Sequence, residues 1–382
     1  MTGTVKKSYV SQFGDDPAHS HTPDPEFFFS PAIFEAEKRG IFYRSWNFLC
    51  HVSQLPNPGD YVTGTVVDQA IFAIRGQDGT VRAFFNVCRH RAHQLLKGTG
   101  NVRSTIRCPY HSWTYDTEGR LRHAPHCDSV AGFDKDEYSV SPVRLAEVGG
   151  FVFVNLDADA PDLETWAPGF ERRLLAMVPE APRLRHARTQ EFTIGSNWKV
   201  VVENFLENYH SFYSGPAHGQ LSNIIDQATY SWQIDGKIVE FAGMGGNPDR
   251  IPYRMANGRV FTGRQEGFLI TYLWPGVAFI LLPGANVLLV FGMNPTGPET
   301  TWEPLLYYTL DGKLDAATQS AVDWFNDILG PEDVEICESV QRGLHSMGYR
   351  AGRLMVDPDC TARWSEHFLH HFNRLNLAAI GG

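Results

Sequence analysis

The sequence predicts an α+β protein: a small all-β domain, then an antiparallel sheet covered by helices. Three observations lead there. Residues 59–156 read as short strands rich in Val, Ile, Thr and aromatics, punctuated by turn signals such as Gly-Gln-Asp-Gly and Thr-Glu-Gly. After Asp157 the texture changes to longer apolar strands, among them FLITYLW, VAFILL and NVLLVFGMNP. Segments of helical spacing flank these strands, as expected for separate layers of sheet and helix.

The chain has 382 residues, room for two or three domains at ~150 residues each. The expected division is 1–44 as an arm and helix packing on the second domain, 45–157 as the β domain, and 158–382 as the helix-covered sheet. A formal net charge of −10 excludes the basic footprint of a nucleic-acid binder. The best apolar run, Val277 to Leu282, falls far short of the ~20 residues of a membrane-spanning helix. The segment MTGTVKKSYVSQFGDD lacks an apolar core, so no secretory signal is expected and the six cysteines are read as reduced thiols or metal ligands in a cytoplasm.

Residues 1–30 are polar and Pro-punctuated, an arm or strap. Pro31 to Trp46 has helical spacing, with Ile33, Phe34, Ala36, Ile41 and Phe42 near one face. In the β domain the strand readings are GDYVTGTVV, AIFAIRG, TVRAFFNVC, STIRC, SWTYD and GGFVFVNL. In the second half a helix is expected from Asn197 to Tyr213. Strands TYSWQID and KIVEFAG follow around Asp235-Gly236, then FLITYLW, VAFILL, NVLLVFGMNP and EPLLYYTL. Two helices close the reading, Asp315 to Leu329 and Pro331 to Gly343, with Gly330-Pro331 as a break.

Cys88-Arg89-His90 and Cys108-Pro109-Tyr110-His111 are the strongest chemical signal. Each pair ends a strand reading, so two loops can converge on one metal centre. If the two thiolates hold one iron and the two imidazoles the other, the result is a Rieske-type [2Fe–2S] centre. Zinc also accepts two Cys and two His, but structural zinc sites favour Cys-x₂₋₄-Cys pairs. His93 lies beside these ligands, as a surface or supporting residue.

FNVCRHRAHQLL and CPYHSWTYDTEGRLR resemble the Rieske domain of the Rieske non-haem iron oxygenases, in their large (α) subunit. The likeness runs upstream through FEAEKRGIFYRSWNFLCHVSQLPNPGDY and on into the second half, so it covers most of the chain. It implies a helix-grip catalytic domain with a mononuclear Fe(II) in an open site.

Asn197-Trp198-Lys199 opens the helix that carries Glu203, Asn204, Glu207 and His210, with His218 beyond Gly215-Pro216. At helical spacing Glu203, Glu207 and His210 share one face. Asn204 and Glu207 are the candidate catalytic residues. Two histidines and a carboxylate form the facial triad of non-haem Fe(II), and His210 and His218 are the candidate histidines. The family likeness places the carboxylate on a late helix, in GPEDVEICESVQRGLHS, where Asp333 is the choice and Asp327 and Glu332 the alternatives. The likeness also implies that Glu207 bridges His210 to His111 of a neighbouring subunit. Glu at this position, and ENFLENYH as a whole, resemble the branch that acts on quaternary ammonium or N-methyl compounds.

The resemblance therefore implies a terminal oxygenase component that takes O₂ and electrons from NAD(P)H through a separate flavin reductase. It would hydroxylate an N-methyl or quaternary ammonium compound; the alternative is an aromatic-ring hydroxylating oxygenase. Electron passage between subunits implies a homotrimer, with or without a β subunit. Aromatic candidates for the pocket are Phe205, Phe212, Tyr213, Trp232, Phe268, Tyr272, Trp274, Phe279 and Phe291. The other cysteines, Cys50, Cys127, Cys337 and Cys360, are expected as packed thiols. His367, His370 and His371 are expected on a helix surface or subunit contact.

Overall fold

In the computed structural model, residues 9–264 and 266–381 are described. The chain forms two compact units, Phe42–Trp166 and, together, Met1–Ile41 with Ala167–Gly382. The first strand-rich segment after Trp46 makes β1 (Asn47–His51), β2 (Asp60–Val66), β3 (Gln69–Arg75), β4 (Val81–Phe85) and β5 (Thr99–Asn101). Then come β6 (Thr105–Arg107), β7 (Thr114–Asp116), β8 (Leu121–His123), β9 (Pro142–Val148) and β10 (Phe151–Asn155). Among the described residues these pair as a seven-stranded sheet, β1-β10-β9-β4-β3-β2-β5, and a three-stranded sheet, β6-β7-β8. The core beneath the Cys-bearing loops contains Phe72, Ile74, Phe84, Ile106, Trp113, Tyr115 and Leu121.

The larger unit is built on a second antiparallel sheet. Its strands are β11 (Arg185–Ile194), β12 (Ser231–Asp235), β13 (Ile238–Gly243), β14 (Phe268–Leu273), β15 (Val277–Leu281), β16 (Leu288–Gly292), β17 (Asn294–Gly297) and β18 (Thr300–Thr309). The order is β11-β18-β16-β15-β14-β13-β12, with β17 paired to β18. Strand alternation divides the sheet's faces. Thr271 and Phe279 turn toward α2 (Phe170–Met177), where Thr271 meets Met177 and Phe279 meets Phe170. The neighbouring Ile270 and Ile280 turn the other way, into a cavity shared with α3 (Trp198–Leu206). No helix among the described residues is long and apolar enough to cross a membrane.

The amino-terminal helix α1 (Pro31–Gly40) is tied to α3 through its interior face. Ile33, Phe34 and Glu37 recur at helical spacing and are buried. The Glu37 carboxylate takes an ion-paired hydrogen bond from the Lys199 ammonium and one at 2.9 Å from the Trp198 indole N–H. Neither ion-pair side chain has any exposure. Burial pulls the Lys199 pKa down, opposed by Glu37, and Phe27 places its ring 4.6 Å from the Lys199 nitrogen. Glu37→Gln should therefore cost ~3–5 kcal/mol, because it strands a buried ammonium. Denaturant unfolding checks this, and the double replacement Glu37→Leu with Lys199→Met should lose much less.

Several expected element boundaries differ. The first helix ends at Gly40, short of Trp46, and a separate 3₁₀ turn spans Phe42–Arg44. The helix expected to reach Tyr213 ends at Leu206; Glu207 is extended (φ −104°, ψ 150°), so it does not continue the Glu203 face. Gly330-Pro331 does not break the chain into two helices. α5 (Ala316–Trp324) passes through a π-helical turn, Phe325–Leu329, into α6 (Gly330–Leu344). Pro331 follows that π-helical turn directly inside the continuous run, and the wider turn, with the Gly330 N–H bonded back to Phe325 O, is where the helix absorbs a residue that has no N–H to donate. On α7 (His367–Ile380), His367 and His370 are buried, not on the surface. Strands β1, β9 and β11 carry no long apolar run and were not among the readings. The described cysteines are all free thiols, with Cys50 and Cys337 buried.

Candidate metal centres

In the smaller unit the two Cys/His loops have the same backbone design. The Cys88 N–H donates to His93 O and the Cys108 N–H to Trp113 O, both at 2.8 Å. The Ala92 and Ser112 N–H groups return to Cys88 O and Cys108 O, both at 3.0 Å. Ala92 (φ 54°) and Ser112 (φ 60°) each occupy the left-handed region that closes the turn. Asn86 anchors the first loop, accepting from the Leu95 and Leu96 N–H groups and donating to Leu96 O.

This geometry buries both thiols and leaves both imidazoles exposed. The His90 and His111 rings stand 4.6 Å apart, and His90 stacks on Trp113 at 4.8 Å. Partial burial, then the facing His111, lowers the His90 pKa, favouring the neutral imidazole that a metal needs. Burial, outweighing hydrogen bonds from the backbone, raises that of the Cys108 thiol. Two buried sulfurs behind two outward imidazoles fit the donor set that would hold a Rieske [2Fe–2S] cluster. Tyr115 supports it from beneath. Its hydroxyl is 3.2 Å from Cys88 Sγ and accepts the Arg89 N–H at 3.1 Å. Tyr115 was missed in the sequence because SWTYD reads simply as a strand.

In the larger unit a second set of donors converges. Asn197 caps α3, its carbonyl oxygen accepting the Lys199 N–H at 2.9 Å. After Leu206 the chain extends, then turns through a short 3₁₀ segment, His210–Phe212. Glu207 organises that turn: one carboxylate oxygen accepts the His210 N–H at 3.0 Å, the other meets His210 Nδ1. His210 Nε2 is thereby left to face Asp333 Oδ1, at 3.8 Å.

His218 comes from α4 (Pro216–Leu221) and is fully buried. Its Nε2 is 3.0 Å from Asp333 Oδ1, and its Nδ1 is 2.7 Å from Glu332. Glu332 also accepts the Ala217 and His218 N–H groups, both at 3.1 Å. Gly215 (φ 138°) is required here, since a Cβ would stand 2.7 Å from Glu332. Burial works against a charged His218, but the Asp333 and Glu332 carboxylates outweigh it and raise its pKa.

His210, His218 and Asp333 thus offer three donor atoms within 4.8 Å of one another. Ligands at ~2.1 Å in neighbouring positions around one ion stand ~3 Å apart, so the set fits a metal after a small contraction. Two imidazoles and one carboxylate are the donor set of non-haem Fe(II) with open positions. The alternatives fall elsewhere: Asp327 is exposed on the π turn, and Glu332 holds the far nitrogen of His218. Glu332→Gln is expected to weaken Fe(II) binding ~10–100-fold by loosening that tautomer. Titration of the metal-free protein with ferrous ion checks this.

The donors open onto a cavity lined by Asn204, Glu207, His210 and Asp333. Phe205, Phe268 and Phe291 line it, as do Tyr230, Phe241 and Phe325, which the sequence reading missed. Phe212, Tyr213, Trp232, Tyr272, Trp274 and Phe279 are not among its lining residues. Tyr213 is 71% exposed, whereas Phe279 sits on the opposite face of the sheet. Asn204 is a wall residue and not one of the three donors. Further polar residues enter the wall, the buried Ser211 among them. Asn208 has its amide nitrogen buried without a hydrogen-bond partner, and Glu303, from β18, is 6% exposed.

The chain matches the family model of the Rieske [2Fe–2S] domain over residues 45–134 and that of the ring hydroxylating alpha subunit (catalytic domain) over 181–381. The carnitine monooxygenase oxygenase subunit of Escherichia coli K12 is 36% identical over 364 residues, 95% of each chain. The chloroplastic choline monooxygenase of Spinacia oleracea is 29% identical, over 96% of this chain and 80% of its own. Among solved structures, the quaternary ammonium Rieske monooxygenase CntA in complex with substrate L-carnitine superposes with a TM-score of 0.85. It is 34% identical, over 96% of this chain and 97% of its own. Naphthalene 1,2-dioxygenase from Rhodococcus sp., 20% identical with a TM-score of 0.76 over 94% of each chain, shares the fold. With both domain models matched and the likeness running the length of the chain, the protein belongs to the Rieske non-haem iron oxygenases, as an oxygenase α subunit carrying a [2Fe–2S] cluster and mononuclear iron.

Proposed function

We propose that this protein is the oxygenase component of a monooxygenase for quaternary ammonium compounds. The observation that carries the reading is the cavity beside His210 and Asp333, whose mostly apolar wall includes six aromatic residues together with a buried acidic side chain, Glu303. Aromatic faces attract a methylated ammonium group by ~0.5–2 kcal/mol per contact. Burial and the Asp333 carboxylate raise the Glu303 pKa well above the ordinary range, so a cation in the cavity would favour its charged form, whereas a neutral arene would gain nothing from it. The carnitine and choline monooxygenases among the relatives act, by name, on trimethylammonium compounds.

In this reading Cys88, His90, Cys108 and His111 hold the cluster, and His210, His218 and Asp333 hold the iron. When bound, the cluster supplies electrons singly and the ferrous ion supplies O₂ activation. The chain's own side chains prepare both places. Glu207 and Glu332 each hold the Nδ1 of one histidine, fixing which nitrogen faces the metal. The aromatic wall excludes water and orients the methylated nitrogen, with Asn204 beside it. Hydroxylation of a carbon attached to that nitrogen consumes O₂, two electrons and two protons and releases water. The hydroxylated carbon then expels the amine as an aldehyde forms. The electrons come from NAD(P)H through a separate flavin reductase, and the working assembly is a homotrimer. In it Glu207 also meets the partner subunit's His111.

The test is a reaction with a surrogate reductase, NADH and either carnitine or choline. Trimethylamine with an aldehyde, or formaldehyde from N-demethylation, is the expected product. Turnover of arenes to phenols or diols, with no product from either ammonium compound, overturns the reading.

A further inference from the structure

Position 303 violates the pattern of its own strand. On β18 the inward side chains alternate, so Thr301, Glu303, Leu305 and Tyr307 share one face. All four are buried. Thr301 donates to Ser196 O and Tyr307 to Asn326. Glu303 has no salt bridge or hydrogen bond to any described residue, although it is 6% exposed and lines the cavity. No Lys or Arg is among that cavity's lining residues. Its other two carboxylates are engaged, Glu207 with His210 and Asp333 with the histidine pair. Burial, then the Asp333 carboxylate, hold the pKa of this carboxyl well above the ordinary carboxylate range, and an unpartnered acidic group facing a cavity ionises at least cost beside a bound cation.

We propose that Glu303 is the counter-charge for the substrate's quaternary ammonium group and sets the preference of the pocket for cations over neutral molecules of the same shape. This rests on the reading of the pocket given above and adds the residue that enforces it. A quaternary nitrogen carries no N–H and cannot hydrogen-bond. It is recognised by shape and by diffuse negative potential, which Phe205, Phe268 and Phe291 supply through their faces and Glu303 through its charge. The carboxylate also makes the discrimination two-sided. A neutral occupant would leave Glu303 protonated and unpartnered and would forgo the ion pair that a cation gains, and that difference separates right ligands from wrong ones.

The test is anaerobic calorimetry on the iron-loaded, full-length protein with two matched pairs of probes. Choline is compared with 3,3-dimethylbutan-1-ol, and carnitine with 3-hydroxy-5,5-dimethylhexanoate; each pair differs only by nitrogen or carbon at the branched centre. The wild type is expected to bind at least one ammonium compound more than ~10-fold tighter than its carbon counterpart. Glu303→Gln should bring that pair within ~3-fold by weakening the ammonium compound alone, with iron content and circular dichroism unchanged. Glu303→Asp should restore most of the preference. A Gln variant that keeps the wild-type preference, or loses iron and both probes together, overturns the assignment of Glu303 while leaving the ammonium reading intact. A wild type that binds neither ammonium compound better than its counterpart overturns that reading and this assignment with it.

Discussion

In protein saturated with ferrous ion, Glu207→Gln is expected to lower turnover ~10–100-fold or more even with both iron centres filled. The wild-type carboxylate accepts from both the backbone N–H and Nδ1 of His210. A carboxylate oxygen has two lone pairs, so Glu207 can still accept from a second imidazole, the partner subunit's His111 in the proposed trimer. A carboxamide has one acceptor oxygen and presents an N–H to the other ring. It can serve His210 but cannot accept from two imidazoles in the same way. Stopped-flow reduction of the cluster should be unchanged in this variant, and only the subsequent reoxidation by O₂ with substrate present should slow. Equal reoxidation rates in the two proteins would remove the bridging role.

Asp333→Ala should abolish turnover and leave the cluster's visible spectrum intact. Asp333 Oδ1 is the common neighbour of both imidazoles, at 3.0 Å from His218 and 3.8 Å from His210. Removing it leaves two neutral donors for a divalent ion. It also removes the larger influence that raises the His218 pKa. The loss of Fe(II) affinity should exceed the ~10–100-fold that a missing outer partner costs. Ferrous titration of the metal-free variant measures it directly. The contrast with Glu332→Gln separates a ligand from a residue that orients one.

Local chemistry was the part of the molecule most legible in the sequence. Cys88, His90, Cys108 and His111 sit in short motifs at strand ends, so their convergence needed only two loops. His218 and Asp333 are 115 residues apart, and only the family likeness linked them before the structure showed them 3.0 Å apart. The end of α3 was not legible. VVVENFLENYH keeps apolar residues near helical spacing past Leu206, yet Glu207 leaves the helix and its carboxylate caps the turn at His210. The π turn was hidden for a similar reason: Gly330-Pro331 is a strong break signal, and only the structure shows the π-helical turn before it carrying the helix through. Tyr115 and Glu303 were illegible as site residues, and Glu332 was legible only as an alternative ligand, not as the partner of His218 Nδ1. Each is an ordinary strand or helix residue until its neighbours from distant segments are known. The pocket aromatics divided by strand alternation, which separates Phe279 from its neighbour Ile280 once the register of β15 is fixed.

The most direct measurement is a joint count of iron and acid-labile sulfide in anaerobically reconstituted protein, with its visible absorption. About three irons and two sulfides per chain, in a red-brown protein, are expected of one Rieske cluster plus one mononuclear site. A colourless protein without sulfide, or one whose four Cys/His ligands hold zinc, would contradict the account at its root.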